Sequence, residues 1–281
     1  MMNKQGVGGI PYCDYTWNPV TGCLHGCSYC FAERIAKRFN GSAAFPNGFL
    51  PRFHEGRLGE PERIKKPSRI FVSDMGDLFG DWVPDQWITL VLCVALNNPQ
   101  HTFLFLTKNP KRYKEFNFPD NAWLGTSVED QAAADERIPL LLQATAKVRF
   151  ISAEPLLGPL DLSYYLPRKP IKECPQKMLP YYNIHGIDWL IVGGETGPGA
   201  RPVHPDWVRS LRDQCQSVGV PYFFKQWGAW TAEYPTNLVF PHAAQPFKRG
   251  EFFYRVGKMK AGRLIDGQTW DELPEIGRHD E

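Results

Sequence analysis

Residues 21–33 read TGCLHGCSYCFAE, which places Cys23, Cys27 and Cys30 within eight positions of a chain that has only seven cysteines. Thiolates are soft donors that favour zinc or iron–sulfur clusters, sites that are ordinarily closed by four ligands. Only three stand here. The nearby Cys13 and His25 give no paired-ligand spacing with them. Cys93 and Cys215 fall on apolar helical patterns, where a free cysteine is expected to be a small buried hydrophobe. Cys174 lies in a broken segment and could join only over long range. At this point zinc, an iron–sulfur cluster with one open iron, and redox or structural thiols all stand as readings.

The spacing i, i+4, i+7 would put the three thiols on one helix face. Pro19, Gly22 and Gly26 sit where that helix would run, so the spacing predicts a loop for Cys23 and Cys27. Its glycines let the backbone wrap a compact object closely. The helix begins beyond it: SYCFAERIAKRF (28–39) repeats Phe31, Ile35 and Phe39 every four residues.

Strands must hold such a loop in place. Short apolar runs recur at RIFVSD (69–74), TFLFLTK (102–108), AWLGTSVED (122–130), KVRFISAEP (147–155), DWLIVGGE (188–195) and PYFFKQWG (221–228), with a first strand near CDYTWN (13–18). Continuous runs of this length suit strands buried on both faces of a parallel sheet. Between them PDQWITLVLCVALNN (84–98) aligns Ile88, Val91, Leu92 and Ala95, and PDWVRSLRDQCQSVG (205–219) aligns Trp207, Val208, Leu211 and Cys215 before Gly219. The alternation predicts an α/β fold: a complete or partial (β/α) barrel of six or seven parallel strands, with a flat doubly wound sheet as the alternative.

The expected organisation is a barrel over residues 1–230, with the metal-binding loop at 19–30 and insertions at 40–68 and 160–187. Both insertions are rich in proline and far longer than an ordinary connection. Residues 231–281 are expected to form a small β-hairpin extension packed on the barrel.

Composition narrows the class. Hydrophobic residues at 43% and aromatics at 14% describe a well-cored globular chain, which excludes a disordered one. The net charge of +2 permits an anionic partner without demanding one. No apolar run approaches the about 18 residues of a membrane span. The N-terminus lacks the apolar core of a secretory signal, and clustered thiols suit a reducing compartment, so the expected location is cytoplasmic, with no membrane partner.

Cys-x3-Cys-x2-Cys with an aromatic, Tyr29, before the last cysteine resembles the signature of the radical S-adenosylmethionine superfamily. The chain is more closely similar to an uncharacterised, phage-associated family carrying this three-cysteine motif. The matching segments are TWNPVTGC, SDMGDLF, EPLLGPL, DWLIVGGETGPGARP, FFKQWG and VGKMKAGRLIDGQTWDE, and they run from about residue 12 to 274. The resemblance implies a [4Fe–4S] cluster on Cys23, Cys27 and Cys30, with S-adenosyl-L-methionine chelating the open iron. It also implies an external electron donor, and reductive cleavage to methionine and a 5′-deoxyadenosyl radical that takes hydrogen from a substrate. Basic stretches at 63–69 and 255–263 and the many aromatics make a nucleic acid or nucleobase the candidate substrate.

In a barrel the chemistry collects at the C-terminal strand ends. The candidates there are Asp74, Ser127, Glu129, Glu154, Gly193 and Gly194, joined by Tyr29 from the cysteine motif. The resemblance implies that strand ends hold the cofactor, with Asp74 towards its amino group and Ser127 and Glu129 towards its ribose. A Gly-Gly-Glu motif often serves the amino group from strand two in that superfamily; here Gly193-Gly194-Glu195 lies near strand six, so the role is not carried over to Glu195. Arg201 stands ready for an anion, and Trp17 is read as packing. Two other readings stay open: a zinc-stabilised nucleic-acid-binding protein without catalysis, and a barrel hydrolase or isomerase using Glu129, Glu154 and Glu195. Neither the catalytic residues beyond the thiols nor the oligomeric state follows from the sequence.

Overall fold

The computed structural model describes residues 2–6, 8–42, 45–167, 186–232, 244–246 and 252–275. Seven strands follow one another in space as they do in sequence: β1 (Tyr15–Trp17), β2 (Arg69–Val72), β3 (Thr102–Thr107), β4 (Ala122–Ser127), β5 (Val148–Ala153), β6 (Trp189–Gly193) and β7 (Tyr222–Gln226). Every neighbouring pair is parallel. Helices α1 (Phe31–Arg38), α2 (Asp85–Leu96), α3 (Gln131–Leu141) and α4 (Pro205–Val218) form in the connections. The sheet curls without closing, so the fold is a partial (β/α) barrel.

Its two edges are covered by the chain's own ends. Asn3–Lys4 pairs antiparallel with β1. On the far side Phe224 donates its backbone N–H to Trp270 (2.8 Å), and Asp271 bridges Phe223. An open sheet edge left bare would invite pairing with another chain, and these segments occupy it.

Alternation along the strands divides the core in two. Ile70, Val72, Phe103, Phe105, Leu124, Ile151, Leu190, Val192 and Phe224 pack outward against the helices. Phe71, Leu104, Trp123, Phe150, Trp189, Ile191 and Phe223 pack inward with Tyr12. Tyr12 sets its ring edge against Trp189 and Phe223, at 5.6 and 5.5 Å, and so plugs the floor of the curled sheet. A Cβ at Gly125 would drive into the Phe150 ring, so a glycine is what lets β4 and β5 share that interior. Beyond these positions the strand ends turn polar, at Ser73, Lys108, Ser127, Ser152, Glu195 and Lys225, and the site begins there.

Several local expectations change. Helix α1 forms, but Ala32 and Ala36 are its buried residues, while Phe31, Ile35 and Phe39 are 47%, 38% and 50% exposed. On α2 the stripe of Ile88, Val91, Leu92 and Ala95 is buried, yet Cys93 is exposed rather than buried. On α4 Cys215 is buried and Gly219 ends the helix at φ 79°. The 40–68 region is not structureless: Arg52–Phe53 pairs with Val20–Thr21 beside the cysteine loop. In 160–187, Leu160, Leu162, Tyr165 and Leu166 are buried, while residues 168–185, with Cys174, lie outside the described residues.

Small antiparallel strands are present in the C-terminal part. Phe252–Arg255 pairs with Trp230–Thr231 and Ala244–Pro246, and a helical turn, Lys258–Ala261, follows. Among the described residues no helix is long and apolar enough to cross a membrane.

Candidate functional site

The cysteine loop is fastened from below by backbone. Gly22 donates its N–H to Met75 O (2.8 Å) and bridges Gly76, while Cys23 N–H reaches Phe49 O (3.1 Å). Gly22 holds φ +86°, and a Cβ there would drive into the Leu50 carbonyl, so only glycine serves both the turn and the close approach. At the other end Cys30 caps α1, its Sγ accepting from the Glu33 N–H at 3.3 Å. A sulfur at a helix N-terminus meets free N–H groups and the positive end of the helix dipole, both of which favour thiolate.

His25, between two of the thiols, is held from the strand side. Its Nε2 lies 2.8 Å from Asp77 Oδ2, and its ring meets Trp82 edge-on at 4.8 Å. Asp77 also accepts from the Thr107 hydroxyl, the Lys108 N–H and the Phe79 N–H. A buried carboxylate with this many donors is a structural anchor.

Above the apolar floor lies a cleft of about 230 Å³ at the C-terminal mouth of the strands. Cys23, Cys27, Tyr29 and Cys30 border it from the loop, and Asp74, Ser127, Glu154 and Gly194 from the strand ends. Eight of the ten residues singled out from sequence thus meet in one place. Gly193 lies just beneath, its Cα so close to Glu154 that a Cβ would stand 3.1 Å from the carboxyl carbon. The space a side chain would need at Gly194 is filled by the Trp227 carbonyl, so Gly194 serves the close approach of the chain after β7, and Gly193 that of Glu154.

Glu129 stands behind the cleft wall. Its carboxylate accepts from the Tyr29 hydroxyl, from Lys108 Nζ and from Arg137 Nη1, the last at 2.9 Å. Lys108 also reaches the Tyr29 hydroxyl and lies over its ring at 5.1 Å. Tyr29 is therefore locked to strand ends β3 and β4, and the oxygens of Glu129 are occupied.

The remaining carboxylates are also engaged. Glu154 accepts from Lys225 Nζ at 2.9 Å and Gln226 Nε2 at 3.3 Å. Glu195 accepts from Arg201 Nε at 2.7 Å, which uses the cation that sequence left for an anion. Asp74 accepts from Asn18 Nδ2 at 2.6 Å; burial raises its pKa, with the Asn18 and Thr16 hydrogen bonds opposing. Burial pushes the Cys23 thiol up to about 12 and raises Cys30 and the Tyr29 hydroxyl.

Three functional positions escaped the sequence. Arg34 of α1 donates to Tyr29 O and Thr196 O, both at 3.1 Å, and so clamps the cysteine loop to the loop after β6. Arg137 is the third partner of Glu129, and Phe49 borders the cleft from the 40–68 region. Arg34 reaches Thr196 across 162 residues and Phe49 meets the cleft from another part of the chain, so neither has a local signal, while Arg137 stands only eight residues beyond Glu129.

All six cysteines among the described residues are free thiols. Cys13 and Cys215 are buried away from the loop, with pKa values pushed up to about 12 by burial, and Cys93 is on α2. Among the described residues no three His, Cys, Asp or Glu side chains converge on the position of a single metal ion.

The family model described as "Protein of unknown function (DUF5131)" matches residues 8–274. The chain belongs to this family. No curated protein matches it. Among solved structures it is similar to a spore photoproduct lyase variant with bound AdoMet and dinucleoside spore photoproduct, at a TM-score of 0.46 and 12% identity over 91% of this chain and 71% of that one. A second variant of that lyase with dinucleoside spore photoproduct gives a TM-score of 0.48 and 12% identity over 93% and 72%.

Proposed function

We propose that this chain is a radical S-adenosylmethionine enzyme, with a [4Fe–4S] cluster on Cys23, Cys27 and Cys30 and one iron left for the cofactor. One observation carries the reading: three free thiols and the inward polar ends of six strands border the same cleft. The donor set fits the group, since thiolates favour iron–sulfur clusters and a fourth cysteine is not needed where an iron must stay open. When bound, the cluster and cofactor together supply one-electron reductive cleavage of a sulfonium and, through it, abstraction of a hydrogen atom.

The chain's own residues then bind, orient and exclude water. Ser127 offers a hydroxyl to the ribose, and Asp74 a carboxylate to the amino group. The Lys225–Glu154 pair fixes the far wall. Tyr12 and Phe71 seal the floor against water. The reading implies an external electron donor and a cytoplasmic setting. Its substrate class is a nucleic acid or nucleobase, supported by Phe31, Phe49 and Tyr12, which offer aromatic faces along the cleft.

Anaerobic reconstitution followed by iron, sulfide and zinc analysis tests the reading. Four irons and four sulfides per chain, a reducible chromophore and release of 5′-deoxyadenosine under reduction are expected. Cys23→Ala, Cys27→Ala and Cys30→Ala should each abolish the chromophore, while Cys93→Ala and Cys215→Ala should keep it. A stable zinc-only protein overturns the proposal.

A further inference from the structure

Ser73 follows β2 directly and combines three unusual features. Its backbone is left-handed at φ 58°, one of two such non-glycine residues among the described residues. It is 4% exposed, and its Oγ has no hydrogen-bond partner. It borders the cleft. Glycine would take this φ without strain and would leave no buried hydroxyl unsatisfied, so on stability alone serine is the worse residue here. Backbone strain together with an unpartnered buried polar group at a cleft points to a role in binding.

The surroundings say what kind of atom the hydroxyl meets. Ser73 opens the turn that holds the cysteine loop: its carbonyl accepts from Gly76 N–H (3.0 Å), Met75 O accepts from Gly22 N–H (2.8 Å), and Gly22 precedes Cys23. Neither of the two carboxylates nearest in sequence accepts from this hydroxyl: Asp74 Oδ1 accepts from Asn18, and Asp77 from four donors including His25. The thiols of that loop, Cys23, Cys27 and Cys30, border the same cleft as Ser73, and a thiolate-held cluster carries negative charge on its sulfurs that a hydroxyl can satisfy.

We propose that Ser73 donates its hydroxyl hydrogen bond to a sulfur of the cluster, a cysteine thiolate or a bridging sulfide, and thereby raises the cluster's reduction potential. This rests on the cluster reading above. The hydroxyl is a ligand-directed group that the fold retains against its own stability.

Two variants separate backbone from hydroxyl. Ser73→Gly removes both strain and hydroxyl; Ser73→Ala removes the hydroxyl and keeps the strained φ. In the metal-free protein, Ser73→Gly is expected to melt about 2–4 °C above wild type and above Ser73→Ala. In the reconstituted protein, both variants should shift the cluster potential to more negative values by the same amount in potentiometric titration without S-adenosylmethionine, and lose iron to a chelator several-fold faster. Unchanged potentials in both variants overturn the proposal. If only the affinity for S-adenosylmethionine falls, in calorimetry on the reconstituted protein, the hydroxyl serves the cofactor and the sulfur contact is wrong. A lower melting temperature for metal-free Ser73→Gly shows that serine is there for the fold, and also overturns it. Failure of wild type to assemble any cluster instead removes the reading on which the proposal rests, and the metal-free melting comparison still reports on Ser73.

Discussion

His25 and Asp77 meet across 52 residues of chain, ring nitrogen to carboxylate at 2.8 Å, and the contact joins the middle of the cysteine loop to the turn that follows β2. Asp77 at the same time holds Thr107, Lys108 and Phe79. Besides the backbone bonds of Gly22 and Cys23, the loop is therefore held over the cleft by a carboxylate that reaches it through the His25 ring.

Asp77→Ala orphans several buried donors at once. The expected cost is about 2–4 kcal/mol of stability, together with low iron content after reconstitution. His25→Ala removes one contact on the loop and should change stability by less than about 1 kcal/mol. Its effect should instead be several-fold faster iron loss to a chelator. Melting curves and chelator kinetics on the two variants check the separation; equal stability losses would show that the ring, not the carboxylate, holds the region.

Arg34 and Gly197 predict a second fastening. A Cβ at Gly197, where φ is +92°, would stand 2.6 Å from Arg34 Nη2. Gly197→Ala should cost about 1–3 kcal/mol through strain and displacement of the guanidinium. Arg34→Lys keeps the charge but cannot span Tyr29 O and Thr196 O together. Its expected signature is weaker S-adenosylmethionine binding with cluster content preserved, read by calorimetry and iron analysis.

The strands were legible because each is a short run of branched and aromatic residues ended by polar ones, as in Thr102–Thr107 and Val148–Ala153. The barrel pattern then pointed to the C-terminal strand ends, where Asp74, Ser127 and Glu154 were expected beside the thiols. The partners were not legible. Glu129 finds Tyr29 one hundred residues away, and Asp77 finds His25 fifty-two away, through packing that no local pattern encodes. The face of α1 misled for a related reason. Ala32 and Ala36 carry little hydrophobic signal, yet small residues are what allow the helix to lie close to its neighbours. Cys93 sits between Leu92 and Val94 on a helix apolar nearly all round, so periodicity could not choose its exposed side.

His54 gives a pH prediction. Its Nε2 lies 2.9 Å from Thr21 Oγ1, and its backbone N–H reaches Pro19 O (2.8 Å), which ties residues 52–54 to the strand before the cysteine loop. Burial, with Arg57 and Arg52 nearby, lowers its pKa from 6.5 to about 4. Between those values the unfolded chain binds the proton and the folded chain does not, so stability climbs as pH rises from about 4 to 6.5 and is lost as pH falls through that window. The side chain is partly exposed, and after solvent screening the effect is on the order of 1–2 kcal/mol. Melting temperatures from pH 4 to 7 should show the slope, and His54→Gln should flatten it; an unchanged slope in that variant would assign it to other groups.

Glu154 and Lys225 give the sharpest test of the cleft wall. They pair at 2.9 Å, with side chains 17% and 14% exposed, across the end of β6 from the ends of β5 and β7. Removing one member of a largely buried pair leaves a charge without its counter-ion, which costs more than the pair contributes. Lys225→Met should therefore destabilise the protein by about 2–4 kcal/mol, because Glu154 keeps its carboxylate in a site with only Gln226 left to donate. Glu154→Gln should cost less, since the amide remains neutral and Lys225 also lies over the Tyr12 ring at 5.8 Å. The double variant should be more stable than Lys225→Met alone, closing a cycle with a coupling of about 1–3 kcal/mol. Denaturant titrations of the four proteins measure it. Additive losses would mean that the two groups are screened from each other, and that the far wall is held by the close approach of Gly194 to the chain after β7 instead.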